Sequence, residues 1–196
     1  MNWLLPGYLG MIIAVALIFR EALVKPSRWI KTGIYTSVGL ILSAHMILVI
    51  PDVPLGEGNT WSGWKDASEK IYKIQQRLGG QADCFIFANS YKSASLLKFY
   101  LPGHQNTYAQ NIYGQPALQF DIWGIPEGLI GKDALYVCDD RKEYKNDLKP
   151  IENYFNDLIL YQKFQYKSGD GRLIRTIFCY LAHDYLGYKH PKPPGD

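Results

Sequence analysis

The sequence predicts a two-helix transmembrane hairpin over residues 1–54, followed by an α/β domain with a mixed sheet over residues 55–196. Three observations carry this reading. Two long runs without a charged side chain, Trp3–Phe19 and Thr32–Ile50, precede a stretch of mixed character. Helix-period and strand-type segments then alternate from Trp64 to Cys138. Two further strand-type runs flank Ser168-Gly169-Asp170-Gly171, a hairpin signal.

A chain of 196 residues with 47% hydrophobic content is long enough to bury one core. The mean hydropathy of −0.15 conceals a very apolar first quarter. Net charge is +3, from 21 basic and 18 acidic side chains. That balance argues against nucleic acid as a partner, since its binders concentrate Lys and Arg on one face.

A membrane span needs roughly 17–25 apolar residues, a length both uncharged runs reach. Trp3 and Trp29 stand at run ends, where amphipathic rings favour the lipid–water interface. Positive charge follows the first run rather than preceding it, opposite to a cleaved signal peptide. The connector carries Arg20, Lys25, Arg28 and Lys31, whereas Met1–Gly10 has no basic side chain. The positive-inside rule then places the connector in the cytoplasm. The expectation is a multi-pass protein of the inner (cytoplasmic) membrane, with its large domain on the extracytoplasmic side. An outside N-terminus suits the last two spans of a longer protein, so the chain is expected to be a C-terminal piece. His45, inside the second run, reads as a neutral histidine bonded to a neighbouring helix, with a functional role as the alternative.

Pro51, Pro54, Gly56, Gly58 and Gly63 mark Ile50–Gly63 as a linker. Trp64, Ala67, Ile71, Ile74 and Leu78 step by three and four and share one helix face, with Ser62 as the expected cap and Gly79-Gly80 as the stop. Ala82–Ala88 is a short apolar run of strand type. Asn89-Ser90 opens a helix over Tyr91–Tyr100, stopped by Pro102-Gly103. Short strands are expected at Thr107–Ala109 and Leu118–Asp121, and a buried strand at Ala134–Cys138. Pro150 is placed to start a helix over Ile151–Phe155. Leu158–Tyr166 and Leu173–Ala182 form the closing hairpin, and His190–Asp196 is a polar, proline-rich tail. The alternation implies a layered, Rossmann-like domain with a mixed sheet.

In open α/β sheets, ligands bind beyond the carboxyl ends of parallel strands. Two loops qualify: Asn89-Ser90-Tyr91-Lys92, and Asp139-Asp140-Arg141-Lys142. If their strands are parallel, both loops share one edge and frame a polar crevice for a sugar or a phosphate. The alternative for Asp139, Asp140 and Arg141 is helix capping and solvated charge. Adjacent aspartates are also oxygen donors of the kind a hard cation takes. Tyr91, Tyr100, Tyr108, Tyr113 and Trp123 cluster in sequence with Gln110, Asn111, Gln119 and Asp121. Flat rings beside amide and carboxylate groups suit carbohydrate, while the same rings are equally the material of a core. Tyr91, Tyr100, Gln119, Asp121 and Trp123 are the candidates from this segment. Cys84, Cys138 and Cys179 show no metal spacing and read as buried thiols, although one bridge is open to them outside the cytoplasm. His104, His183 and His190 show no zinc pattern, and no metal site is expected.

Gly63-Trp64 with its helix, Tyr91, Phe99-Tyr100-Leu101-Pro102-Gly103, Gln119-Phe120-Asp121-Ile122-Trp123, Gly131 and Ala134-Leu135-Tyr136-Val137 together resemble the C-terminal domain of bacterial integral-membrane glycosyltransferases. These are the GT-C enzymes of family 39, similar to the protein O-mannosyltransferases and the aminoarabinose transferases. The resemblance covers roughly Gly63–Asp140. It implies transfer of a sugar from a polyprenyl-phosphate donor to a glycan, lipid or protein acceptor, with membrane lipid as a further partner. It assigns no catalytic residue here, because the family's acid lies in an early loop that this chain lacks. The resemblance assigns no certain cofactor, and a divalent cation is left open for the full enzyme. The alternative, from another class, is a non-catalytic membrane-anchored binding or assembly protein.

Overall fold

The structure, a computed structural model, describes residues 5–20, 24, 27–49, 62–140, 147–169 and 171–187. The chain divides into two compact units, Met1–Ile50 and Pro51–Asp196.

The first unit holds helices α1 (Leu5–Ile18) and α2 (Arg28–Val49). Among the described residues, no helix is long and apolar enough to cross a membrane. This overturns the expected transmembrane hairpin and, with it, the multi-pass inner-membrane location and the sidedness drawn from the connector. The physical reasons differ between the helices. The 14 residues of α1 extend about 21 Å at ~1.5 Å per residue, short of a hydrocarbon core of about 30 Å. Helix α2 is longer, but it opens with Arg28 and Lys31 and carries Thr32, Thr36, Ser37, Ser43 and His45. Several of these polar groups bond back to their own helix. Thr32 Oγ1 donates to the Arg28 carbonyl, Ser43 Oγ donates to the Gly39 carbonyl, and His45 Nδ1 lies 2.8 Å from the Ile41 carbonyl. His45 thus finds its partner on α2 itself rather than on a neighbouring helix. The linker residues 50–61 and the tail 188–196 lie outside the described residues.

The second unit is an α/β fold around a five-stranded mixed sheet. Its elements are α3 (Trp64–Arg77), β1 (Cys84–Ala88), α4 (Tyr91–Tyr100), β2 (Thr107–Tyr108), α5 (Gln119–Trp123), β3 (Asp133–Asp139), α6 (Lys149–Glu152), β4 (Phe155–Lys167) and β5 (Leu173–Tyr185). The spatial order is β2-β1-β3-β5-β4. Strand β1 pairs in parallel with β2 and with β3, while β5 runs antiparallel to β3 and to β4. Strand β1 is buried along its whole length, which is why its sequence, CFIFA, shows no polar alternation.

Alternate residues of the sheet feed two cores. Cys84, Ile86, Ala88, Leu135, Val137, Ile177 and Cys179 pack with Trp64, Ile71 and Ile74 of α3 and Ala94 and Leu97 of α4. Phe85, Phe87, Tyr136 and Cys138 face the other way, against Ile151, Tyr154, Phe155 and Tyr185. Arg175, on β5, is fully buried and its Nη1 donates to the Ser62 carbonyl at 2.8 Å. Burial pushes the Cys84 and Cys138 thiols up to about 12, and that of Cys179 higher still. All three cysteines are free.

Two local expectations are corrected. Helix α3 is not capped by Ser62; its N-cap is Gly63, at φ 84° with no side-chain cap. A Cβ there would fall 2.9 Å from the Tyr166 side chain, so both the backbone angle and the space require glycine. The segment around Leu118–Asp121 is not a strand but the start of α5. Asp121 accepts backbone N–H groups from Asn111 and Ala117, and this clamp folds the segment into a turn.

Candidate functional site

The parallel pairing of β1 and β3 puts their carboxyl ends on one edge of the sheet. Strand β1 also stands between β2 and β3, where chain order reverses and ligands of open sheets gather. The loop after β1 is well tied. Ser90 caps α4 by accepting the Ser93 N–H, and Ser93 Oγ donates to Asn89 Oδ1. The loop after β3 is engaged differently. Asp139 is buried, and Asp140 Oδ2 accepts the Thr176 N–H at 2.7 Å, prolonging the pairing of β3 with β5. Arg141 lies outside the described residues.

The segment Gln110–Trp123 builds two concavities, and α5 lends a different side to each. The first, of about 470 Å³, is lined by Tyr91, Ser95, Lys98, Phe99, His104, Ala117, Leu118, Gln119, Phe120 and Trp123. Three of the candidates, Tyr91, Gln119 and Trp123, meet here. The walls are strongly apolar. Phe99 is 66% exposed and Trp123 63% exposed, large values for rings of that size. Trp123 and Phe120 pack edge to face, with ring centroids 5.4 Å apart. Lys98 Nζ stands 5.7 Å over the Trp123 ring and donates to Asn106 Oδ1. His104 Nδ1 is 3.3 Å from the Lys98 carbonyl. Cationic or protonatable groups therefore gather at a rim of aromatic carbon. Tyr100 instead packs partly buried against the helix-side core.

The second concavity, of about 620 Å³, is polar and lies along Gln110, Asn111, Asp121, Gly124–Glu127, Ile130 and Tyr185–Gly187. Asp121 belongs here, apart from Tyr91, Gln119 and Trp123, and both its oxygens are engaged by backbone N–H groups. Gln110 is 6% exposed. Its Oε1 and the Asn111 Oδ1 are buried with no hydrogen-bond partner among the described residues. Gln110 also reaches a small space beside Asn89, Ser90 and Tyr113 at the end of β1.

Between this segment and the sheet, the Tyr113 and Tyr136 hydroxyls lie 2.7 Å apart, and Tyr113 donates to the Asp147 carbonyl at 3.0 Å. Burial pushes Tyr113 up to about 12 and Tyr136 well above its ordinary range. The pair is a neutral structural link rather than an acid–base device. His183 Nδ1 meets Asp133 Oδ2 at 3.0 Å, at the opposite end of β3 from Asp140. Among the described residues, no group of three His, Cys, Asp or Glu side chains stands close enough to hold a metal ion.

Sequence reasoning named the aromatic segment but not Lys98, Phe99 or His104 as site residues. The helical period of α4 was the available signal, since Tyr91, Ser95 and Lys98 step along one face. No family model, no curated protein and no solved structure matches this chain.

Proposed function

We propose that this chain is part of a glycosyltransferase using a polyprenyl-phosphate sugar, and that its α/β domain holds the carrier rather than supplying the catalytic acid. The observation that carries the reading is the aromatic concavity with Lys98 and His104 at its rim. An isoprenoid chain wants an apolar, aromatic-lined groove, and its phosphate wants a cation beside that groove. The arrangement of Phe99, Leu118 and Trp123 beside Lys98 supports both requirements in one place. The resemblance of Phe99–Gly103 and Gln119–Trp123 to the family supports it independently. Asp121, in the polar concavity, and Asp140, after β3, both accept backbone N–H groups, so they serve the scaffold.

A titration of the whole chain with farnesyl phosphate, followed by tryptophan fluorescence, tests the reading. Saturable quenching that requires Trp123 and is weaker for farnesol is expected. Equal binding of farnesol and farnesyl phosphate, or none of either, overturns it. The second reading, a non-catalytic binding or assembly protein, draws on the same engaged carboxylates. It is favoured if the chain binds the carrier yet adds nothing to transfer when supplied with the remainder of a candidate enzyme.

A further inference from the structure

We propose that helix α2 is a self-association surface, and that two copies of this chain join through an antiparallel pair of α2 helices. The proposal uses no residue of the α/β domain, and so stands apart from the carrier reading.

Ile34, Val38, Ile41 and His45 follow one another along α2 at spacings of four, three and four. That is the heptad step, which keeps side chains on the line where one helix meets another. All four are exposed in the single chain, and Ile41 is 56% exposed. Tyr35 and Leu42, also exposed, flank the seam. At 3.6 residues per turn, Thr32, Thr36 and Ser43 fall on the opposite side. Two of these hydroxyls bond to carbonyls of their own helix, so that side is already provided for. The seam is an apolar stripe of the kind that a helix buries against a partner.

Charge selects a second copy, and its orientation. Arg28 and Lys31 stand in the first turn of α2, which holds no acidic residue, and the last turn holds no basic one. A helix carries partial positive charge at its N-terminus and partial negative charge at its C-terminus. Both cations therefore stand at the unfavourable end of their own helix, and the carbonyl end lacks the cation that would suit it. Two antiparallel copies relieve both ends at once, because Arg28 and Lys31 of each come beside the carbonyl end of the other. A two-fold axis makes the same contact twice. A parallel pair would instead gather four cations at one positive end.

His45 fixes the register. With the axis between Gly39 and Leu40, Val38 of one copy lies opposite Ile41 of the other, and Ile34 opposite His45. The His45 Nδ1 lies 2.8 Å from the Ile41 carbonyl of its own helix, so the ring joins the seam with one nitrogen already engaged. Each imidazole then packs on an aliphatic side chain. A parallel pair would press the two His45 rings together, and a lone polar group in a seam commonly specifies orientation in this way.

Sedimentation equilibrium of the whole chain in buffer, across micromolar concentrations, tests the proposal. A reversible monomer–dimer equilibrium is expected. Ile41→Glu, which puts a carboxylate against the other copy's Val38, should weaken dimerisation by at least about tenfold. Thr36→Glu, on the far side of the same helix, should leave it unchanged. Orientation is read by electron–electron resonance between spin labels at Thr32→Cys and, separately, at Leu40→Cys; the three native thiols are buried. In the antiparallel register the two labels are nearly level at position 40 but offset by about 22 Å along the axis at position 32. The label distance should thus be longer at 32 than at 40. A monomer at every concentration, association that Ile41→Glu leaves intact, or equal label distances at the two positions overturns the proposal. So does a monomer that binds neutral lipid vesicles in place of a second copy. None of these readouts depends on farnesyl phosphate, so failure here and failure of the carrier reading are separable.

Discussion

Ala117 donates its backbone N–H to Asp121 Oδ2 at 2.6 Å, while Asn111 donates to Oδ1 of the same carboxylate at 3.0 Å. One side chain thus fastens the two ends of the loop that precedes α5. Hydrogen bonds to a charged group are worth about 1.5–3 kcal/mol each. Asp121→Ala should therefore lower stability by about 2 kcal/mol or more, and Asp121→Asn by roughly half as much, since the amide keeps one oxygen. Urea denaturation of the whole chain measures both. An Ala variant as stable as the parent would show that the clamp contributes nothing.

The Tyr113–Tyr136 pair gives a second expectation. Each hydroxyl has one proton. Because Tyr113 donates to the Asp147 carbonyl, Tyr136 must donate to Tyr113. Tyr113→Phe then strands the fully buried Tyr136 hydroxyl and should cost about 1–3 kcal/mol. Adding Tyr136→Phe removes the stranded group, so the double variant should be no worse than the single one, a coupling that a double-mutant cycle reads directly. Strictly additive losses would show that the two hydroxyls do not depend on each other.

How much of this was legible in the sequence depended on the range of the interaction. Helix α3 and strands β1 and β3 announce themselves through period and apolar runs, because each meets the sheet or its cover along its own length. Trp64, Ile71 and Ile74 were readable as one face for that reason. The Asp121 clamp was not, since a carboxylate folding back on its own loop leaves no periodic trace, and QFDIW has strand-type composition. The first 50 residues misled in another way. Counting uncharged residues ignored that Thr, Ser and His side chains interrupt the apolar run of α2, and that α1 is only 14 residues long. Within the site, Tyr91 and Trp123 were named from chemistry alone. Only tertiary structure divides Asp121 from them, because α5 turns successive side chains toward different concavities.

Alkaline conditions should destabilise the protein through its buried thiols. Burial lifts Cys84 and Cys138 from an ordinary 9.0 to about 12. A thiol with a raised folded pKa favours the folded state fully below its unfolded pKa, and that contribution is lost as pH rises toward the folded value. Urea midpoints should thus be flat up to about pH 8 and fall above about pH 9, where the unfolded thiols ionise. Cys138→Ala should flatten that fall relative to the parent. A midpoint that stays level to high pH would mean that the thiols are not held in the core as the structure has them.

Trp64 and Trp123 separate scaffold from surface. Trp64 is fully buried among Ile71, Ile74 and Ile86, and Trp64→Ala should cost about 3–5 kcal/mol, as emptying a core site does. Trp123 is 63% exposed and packs edge to face with Phe120. Trp123→Ala should shift stability by no more than about 1 kcal/mol. Its effect belongs to the concavity instead, where the ring is both a wall for an apolar chain and the platform under Lys98. If the domain holds a polyprenyl phosphate there, Trp123→Ala weakens farnesol and farnesyl phosphate alike, because both present the same chain to the ring. Lys98→Met, which keeps the aliphatic stem and removes the charge, should weaken farnesyl phosphate by about tenfold, ~1.4 kcal/mol, and leave farnesol unchanged. The phosphate advantage of the parent should also shrink with added salt, since an exposed cation is screened. Should Lys98→Met weaken both compounds equally, the lysine acts through packing on Trp123, and the cation at the rim is not the group that selects the ligand.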